Sequence, residues 1–505
     1  MKKAWKWLAL VGLAGVLGAC GNSDEAKDKK GKEGLTIVAS FYPMYDFTKN
    51  IVGDEGTVEL LVPAGTDSHD FEPSAKDIAK IQEADALVYN NENMEMWVPD
   101  VEASLKKEEV KVIKATKDML LMPGGEEEDH DHSEAGHHHE LDPHVWLAPS
   151  LAVKEVEAIR DQLSESYPEH AEAFKKNAAA YSEKLQQLDQ KYTEAFAHAK
   201  QKSFVTQHAA FSYLALEYGL NQVPISGVSS EEEPSPARLA ELKEFVEKNG
   251  IQYIYFEENA KSNVAETLAA ETKIKTEVLN PLEGLTQQQM EDGEDYISVM
   301  EQNLKALQKT TDTENPKEEN LTPVKEKTVY NGYFKDSEVK DRPLTDWAGS
   351  WQSVYPYLED GTLDQVMDYK AKKDSSKTAE EYQAYYQTGY QTDVKEIKIK
   401  GDKMTFIFDD GTEKSAEYQS AGYKILDYKA GNRGVRFLFE AKGETDAFKY
   451  IQFSDHGIRP EKSGHFHIYY GDDSQDALLE EMDHWPTYYP TNLTGMEIAQ
   501  EMLAH

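Results

Sequence analysis

The sequence predicts a two-lobed α/β domain of parallel sheets with a long linking helix, followed by a mainly-β barrel domain. Three observations carry this. Strand-like apolar runs alternate with helical segments in two separate series. One long apolar stripe of helical period stands between the series. Past a polar, proline-containing stretch the pattern changes to short alternating strands.

The first series comprises LTIVASF (35–41), VELLVPA (58–64), ALVYN (86–90) and VKVIKA (110–115), with helical segments expected at 74–83 and 95–106. A βαβα order needs crossover connections, and these make a parallel sheet covered on both faces. The series stops at Pro123-Gly124-Gly125. From about Ser164, the residues Phe174, Ala178, Tyr181, Leu185, Leu188, Tyr192 and Phe196 recur every three or four positions. They form one face of a helix of about thirty residues, about 45 Å long and able to bridge two lobes. The second series is SFVTQH (203–208), LNQVPISGV (220–228), QYIYFEE (252–258) and KTEVLN (275–280).

Residues 311–327 (TDTENPKEENLTPVKEK) are polar and aperiodic and are expected to be a flexible linker, so that the parts it joins are coupled by local concentration rather than packing. Beyond it, KEIKIKGDKMTFIFDDGTEKSAEYQ alternates in polarity about Asp410-Gly411, a hairpin signal. GVRFLFEAK, FKYIQFSD and GHFHIYYG continue the short strands. Antiparallel strands at such spacing close into a barrel. Gly349-Ser350-Trp351 resembles the Gly-x-Trp opening of lipocalin-like barrels.

The N-terminus is expected to be a targeting segment. Lys2, Lys3 and Lys6 precede an apolar run from Trp7 to Ala19, shorter than the ~20 apolar residues a bilayer span requires. Leu17-Gly18-Ala19-Cys20 resembles a lipoprotein lipobox, implying cleavage before Cys20 and lipid on its thiol. Cys20 is the only cysteine, so a lipidated chain has no free thiol. Thiol catalysis is then excluded, and a tightly held metal must use nitrogen and oxygen ligands. The formal charge of -39 (54 basic against 93 acidic residues) repels nucleic acid and attracts cations.

In parallel α/β sheets, ligands bind beyond the carboxyl ends of strands. His69, His208 and Glu283 follow the 58–64, 203–208 and 275–280 strands, and His144 follows the stiff Asp142-Pro143 pair. Two come from each lobe. Three imidazoles and one carboxylate suit tetrahedral Zn²⁺ better than a hard-oxygen metal. The motifs around these positions are HDFEPS, DPHVW, TQHAAFSYLALEYGL and NPLEGLT. They resemble the ligand-bearing motifs of ZnuA-like zinc-specific solute-binding proteins of ABC importers, over residues 33 to about 310. The resemblance implies that His69, His144, His208 and Glu283 are the metal ligands. Manganese relatives carry an acid where this chain has His208, which favours zinc.

Before His144 lies EEEDHDHSEAGHHHE (126–140), with His130, His132, His137, His138 and His139 among seven carboxylates. Such an acid- and histidine-rich loop marks the zinc members, and it offers weak, exchangeable sites that could catch zinc and pass it inward. In the C-terminal part, FSDHGIRPEKSGHFHIYYG places His456 across a turn from His465 and His467, whose rings share one strand face about 7 Å apart. This part resembles the ZinT family of lipocalin-like zinc-binding proteins, in which that triplet is the ligand set. His484 is a weaker candidate for the same site. His170 and His198 are expected on the surface, and Tyr382, Tyr385, Tyr386 and Tyr390 as barrel or lid packing.

The expected organisation is a signal peptide (1–19), a lipid-anchored tether (20–32), the two-lobed solute-binding domain (33–310), a linker (311–327) and the lipocalin-like domain (328–505). The expected function is a monomeric, lipid-anchored receptor on the outer face of the cell membrane. It would bind one Zn²⁺ in each domain and deliver it to an ABC permease and its ATPase, with no nucleic acid as partner. Two alternatives are a hydrolytic zinc centre at the three C-terminal histidines, and a surface adhesin.

Overall fold

The computed structural model describes residues 34–105, 109–124, 141–228, 235–257, 268–270, 272–314, 327–428 and 431–504. Cys20, the signal segment and tether, the 126–140 loop and most of the linker lie outside the described residues.

The first lobe is a four-stranded sheet of β1 (Leu35–Ala39), β2 (Gly56–Leu60), β3 (Ala86–Tyr89) and β4 (Lys111–Lys114), in the order β2-β1-β3-β4 and parallel throughout. The second repeats the plan with β5 (Ser203–Thr206), β6 (Asn221–Pro224), β7 (Tyr253–Phe256) and β8 (Lys275–Val278), ordered β6-β5-β7-β8. The central strands β1, β3 and β5 are almost wholly buried, as continuous Val/Ile/Leu/Phe runs require between two helical layers.

The linking helix is Ala171–Phe196, shorter than expected. Its predecessor, Pro149–Ser166, is a separate helix, because the chain leaves helical geometry at Tyr167 before Pro168. All seven stripe residues are buried in one cluster that spans both lobes. Each large side chain among them contributes about 1.5–3 kcal/mol relative to exposure. The Tyr181 hydroxyl donates to Asp46 of the first lobe at 2.6 Å, and that of Tyr192 donates to the Met300 carbonyl of the second at 2.7 Å. One helix thus packs on both lobes.

The C-terminal part closes as a barrel, β10-β11-β12-β13-β14-β15-β16-β9. Its strands are β9 (Gly349–Ser353), β10 (Val394–Lys400), β11 (Lys403–Phe408), β12 (Glu413–Asp427), β13 (Arg433–Ala441), β14 (Tyr450–Ser454), β15 (Phe466–Gly471) and β16 (Thr487–Pro490). Trp351 of the Gly-Ser-Trp motif is buried and donates to the Trp347 carbonyl, and its strand β9 pairs with both β10 and β16. Gly411 has a φ of 83° in the β11–β12 turn, a conformation open to glycine without penalty. The tyrosines 382, 385, 386 and 390 lie on the helix Ala379–Tyr390, and Tyr382, Tyr386 and Tyr390 pack into the cluster beside the barrel.

Coupling by local concentration alone, expected from the 311–327 composition, is not what the structure shows, because the two domains touch. The Gln500 side chain accepts from Leu121 N at 2.8 Å and donates to Leu121 O at 2.6 Å, and Gln365 bonds Leu120 N and Asp118 O. Lys372 pairs with Glu217 at 2.5 Å. Linker composition reports only on the linker and carries nothing about faces that meet elsewhere. Among the described residues no helix is long and apolar enough to cross a membrane.

Candidate metal centres

The cleft ligands expected from the sequence converge. His69 follows β2 by a loop, His208 lies two residues past β5, and Glu283 lies five past β8. His144 stands immediately before a short 3-10 turn, Val145–Leu147. An aspartate two residues upstream orients each first-lobe ligand: Asp67 Oδ1 accepts from His69 N at 2.8 Å, and Asp142 Oδ1 from His144 N at 2.9 Å. Such Asx turns replace the backbone partners that these loops lack.

The distances are those of a tetrahedral metal site. His69 Nε2 and His208 Nε2 lie 3.2 and 3.4 Å from His144 Nε2. Glu283 Oε1 lies 3.5, 3.3 and 3.3 Å from the Nε2 atoms of His69, His144 and His208. The centre of a regular tetrahedron is about 0.61 of an edge from each vertex. An edge of 3.3 Å therefore gives about 2.0 Å, the Zn–N and Zn–O bond length. His144 and His208 are fully buried, His69 nearly so, and Glu283 is 8% exposed.

The second ring nitrogens set the tautomers. His144 Nδ1 donates to Asp142 Oδ1 at 2.8 Å, and His208 Nδ1 is held by Glu257. With the Nδ1 proton held by a carboxylate acceptor, Nε2 presents a lone pair to the centre. Burial lowers the tendency of His208 to protonate, yet Glu257 and Glu283 outweigh it and hold its pKa well above the ordinary range. His69 is raised in the same way, with Glu283 overcoming burial. Burial opposes ionisation of Glu283, but His69, His144 and His208 hold it well below the carboxylate range.

Both lobes are tied together beside the ligands. Ser68 Oγ donates to the Glu283 carbonyl at 2.9 Å, and Trp146 Nε1 to the Pro281 carbonyl at 2.8 Å. Leu282, fully buried and next to Glu283, has a φ of 58°, a strained value for a bulky side chain. Its N–H is held by Asn280 Oδ1 at 2.7 Å, and Asn303 fixes Asn280 at both its N–H and its carbonyl.

The three C-terminal histidines also converge. Their ring centroids form a near-equilateral triangle of 5.8, 6.0 and 6.0 Å, and ligand nitrogens of all three lie within 4.8 Å. His467 is on β15, His465 just before it, and the intervening Phe466 points into the core. His456 has a φ of 64°, so its turn is strained at the histidine itself. Buried Arg342 anchors that turn through Asp455 at 2.5 Å and the Glu461 carbonyl at 2.7 Å. The Thr487 hydroxyl spends its proton on the Trp485 carbonyl, so it accepts from His467 Nδ1 at 2.7 Å and frees Nε2. Tyr330 stacks on His456 at 4.4 Å and Tyr489 on His465 at 5.1 Å. His484 is turned away, its Nε2 against the Gln391 carbonyl at 2.5 Å, and it does not belong to this group. His456 is exposed and its two companions half-buried, so this site is far more open than the cleft.

His170 is partly exposed and bonds Glu55 at 2.6 Å, and His198 is exposed. Sequence reasoning missed Glu257 and Asp142 as supporting carboxylates. A signal existed for each: Glu257 follows the Tyr253–Phe256 strand directly, at the same sheet edge as His208, and Asp142 opens the DPHVW motif. None existed for Thr487, Tyr330 or Tyr489.

Residues 37–310 match the family described as zinc-uptake complex component A, periplasmic, and residues 325–505 match ZinT (YodA), described as a periplasmic lipocalin-like zinc-recruitment family. The chain is 61% identical over 508 residues to the zinc-binding lipoprotein AdcA of Streptococcus pneumoniae, covering 100% of both. It is 56% identical to the zinc-binding protein AdcA of Streptococcus pyogenes serotype M1, covering 95% of this chain and 96% of that one. The crystal structure of Zn(II)-bound AdcA from Streptococcus pneumoniae superposes with a TM-score of 0.84 at 60% identity, over 94% of this chain and 100% of the other. This chain belongs to the AdcA family of zinc-binding proteins, with a zinc-uptake component A domain followed by a ZinT domain.

Proposed function

We propose that this protein captures extracellular Zn²⁺ and delivers it to an ABC-type importer, with His69, His144, His208 and Glu283 as the cleft ligands. The observation that carries the reading is the convergence of four ligand atoms, with Glu283 Oε1 and His144 Nε2 each 3.2–3.5 Å from the others. Four protein ligands leave no coordination position for a water, so the cleft binds zinc and does not activate a nucleophile. Because two ligands come from each lobe, separating the lobes breaks half the coordination shell, which gives a route to release at the permease. His456, His465 and His467 form a second zinc site whose openness suits capture. The matched families and relatives carry the names of zinc-binding and uptake proteins rather than of enzymes. Lipid on Cys20 would keep the receptor at the membrane face beside its permease and ATPase, and the 126–140 histidines would add weak capture sites.

The test is metal analysis after dialysis of the full mature chain, of His144→Ala, of His465→Ala/His467→Ala, and of the triple variant. Two tight zinc ions, one, one and none are expected. Tight zinc retained in the triple variant sinks the assignment of ligands. A lipid-free Cys20→Ala protein that remains on the membrane sinks the anchor.

A further inference from the structure

The C-terminal domain does not dock at a neutral surface. It grips the segment 118–122, which leads into the base of the 126–140 loop, and that base closes again directly before His144. Residues 119 to 121 face opposite ways in turn. Met119 and Leu121 pack with Val145, Ala148 and Tyr213 of the two-lobed domain, whereas Leu120 packs into the cluster of the C-terminal domain beside its barrel. Gln500 then fixes both backbone groups of Leu121.

The next residue leads to the metal centre. Met122 N donates to the Tyr213 hydroxyl at 2.8 Å, and that hydroxyl donates its one proton to the Asp142 carbonyl at 2.8 Å. Asp142 N donates back to the Met122 carbonyl at 2.8 Å, closing the loop base beside the Pro123–Leu141 bridge. The Asp142 carboxylate holds His144 at both its backbone N–H and its Nδ1. Tyr213, 3% exposed, is therefore the buried bridge between the segment held by the C-terminal domain and the carboxylate that aims His144. The same domain also holds Tyr213's own helix, Ser212–Glu217, because Lys372 pairs with Glu217 at its end.

We propose that Tyr213 is a positioning residue for His144, and that docking of the C-terminal domain through Gln500 tightens the cleft's hold on zinc by stiffening this chain of contacts. The inference rests on His144 being a zinc ligand. Carboxylates bonded directly to a ligand histidine change metal affinity by about 10–100-fold. Tyr213 acts one contact further out, so about a three- to tenfold loss is expected, with a smaller loss from Gln500.

The experiment uses the full mature chain carrying His465→Ala/His467→Ala, so that the cleft is the only tight site. Zinc affinity is measured by chelator competition, the visible spectrum of the Co²⁺-loaded cleft is recorded, and the metal-free protein is melted. Tyr213→Phe should weaken zinc and shift the Co²⁺ bands. Gln500→Ala should move both in the same direction, and adding it to Tyr213→Phe should cost nothing more, because both act through one chain. Lys372→Ala, which leaves Leu121 and Met122 untouched, should have the least effect.

A Tyr213→Phe protein with unchanged affinity and spectrum overturns the proposal, even if it melts earlier. So do fully additive losses in the double variant. Should Tyr213→Phe fail to fold, an unchanged affinity in Gln500→Ala overturns the docking claim by itself. Tight zinc in His144→Ala would instead overturn the ligand assignment, a distinguishable failure.

Discussion

Glu257→Gln is the most informative single change at the cleft. Its carboxylate is nearly buried and is bonded to His208 Nδ1. Glutamine keeps the volume and an acceptor oxygen but removes the charge. A hydrogen bond to a charged partner contributes about 1.5–3 kcal/mol, against about 0.5–1.5 for a neutral one. The difference, about 1–1.5 kcal/mol, is about a five- to twelvefold loss of zinc affinity, since about 1.4 kcal/mol is tenfold. Glu257→Ala also strands a buried N–H, for a further ~1–3 kcal/mol. The expected order is therefore wild type, Gln variant, Ala variant. Glu257 also helps raise the His208 pKa, so wild type must displace a more firmly held proton there than the variants do, Glu283 remaining in all of them. The deficit should consequently be largest at pH 8 and shrink toward pH 6. Chelator competition across that range, on the His465→Ala/His467→Ala background, reads both effects. Undiminished affinity in a folded Glu257→Ala protein, or a deficit that grows with acid, would refute the reasoning.

Exchanging imidazole for carboxylate in His208→Asp should move cleft preference from zinc toward oxygen-favouring metals such as manganese; an unchanged zinc-over-manganese ratio in competition titration counts against His208 as ligand. For pH, the folded pKa values of His69 and His208 are raised, so their contribution to apo stability is fully present below the unfolded value of ~6.5 and is lost as pH rises through the folded values. Zinc binding expels those protons, and the zinc-induced rise in Tm should therefore be larger at pH 8 than at pH 6; a rise that is larger in acid contradicts it. Deleting Glu126–Glu140 should spare tight binding while slowing zinc uptake at low concentration, and loss of the tight site would show that the loop supplies primary ligands. The pair His465→Ala/His467→Ala leaves one ring of the triplet and should abolish C-terminal zinc, with growth impaired only when zinc is scarce; equal growth at every zinc level makes that site dispensable for uptake.

What the sequence determined by itself was whatever repeats locally. Short apolar runs marked all eight strands of the two sheets, and a period of 3.6 marked the stripe of the linking helix, because both signals are set by neighbours a few residues away. The convergence of His69, His208 and Glu283 was equally legible, since strand ends gather at one edge of a parallel sheet whatever the loops do. Tertiary structure decided the rest. Only folding brings Glu257 to His208 and Thr487 to His467, and puts Leu282, beside Glu283, and His456 into left-handed backbone. Gln500 and Leu121 are 379 residues apart, and nothing local to either announces the contact. The linker's composition suggested independent domains because composition reports the freedom of the linker alone. Whether two domains pack depends on faces elsewhere in the chain, and here those faces meet on the segment that leads to His144.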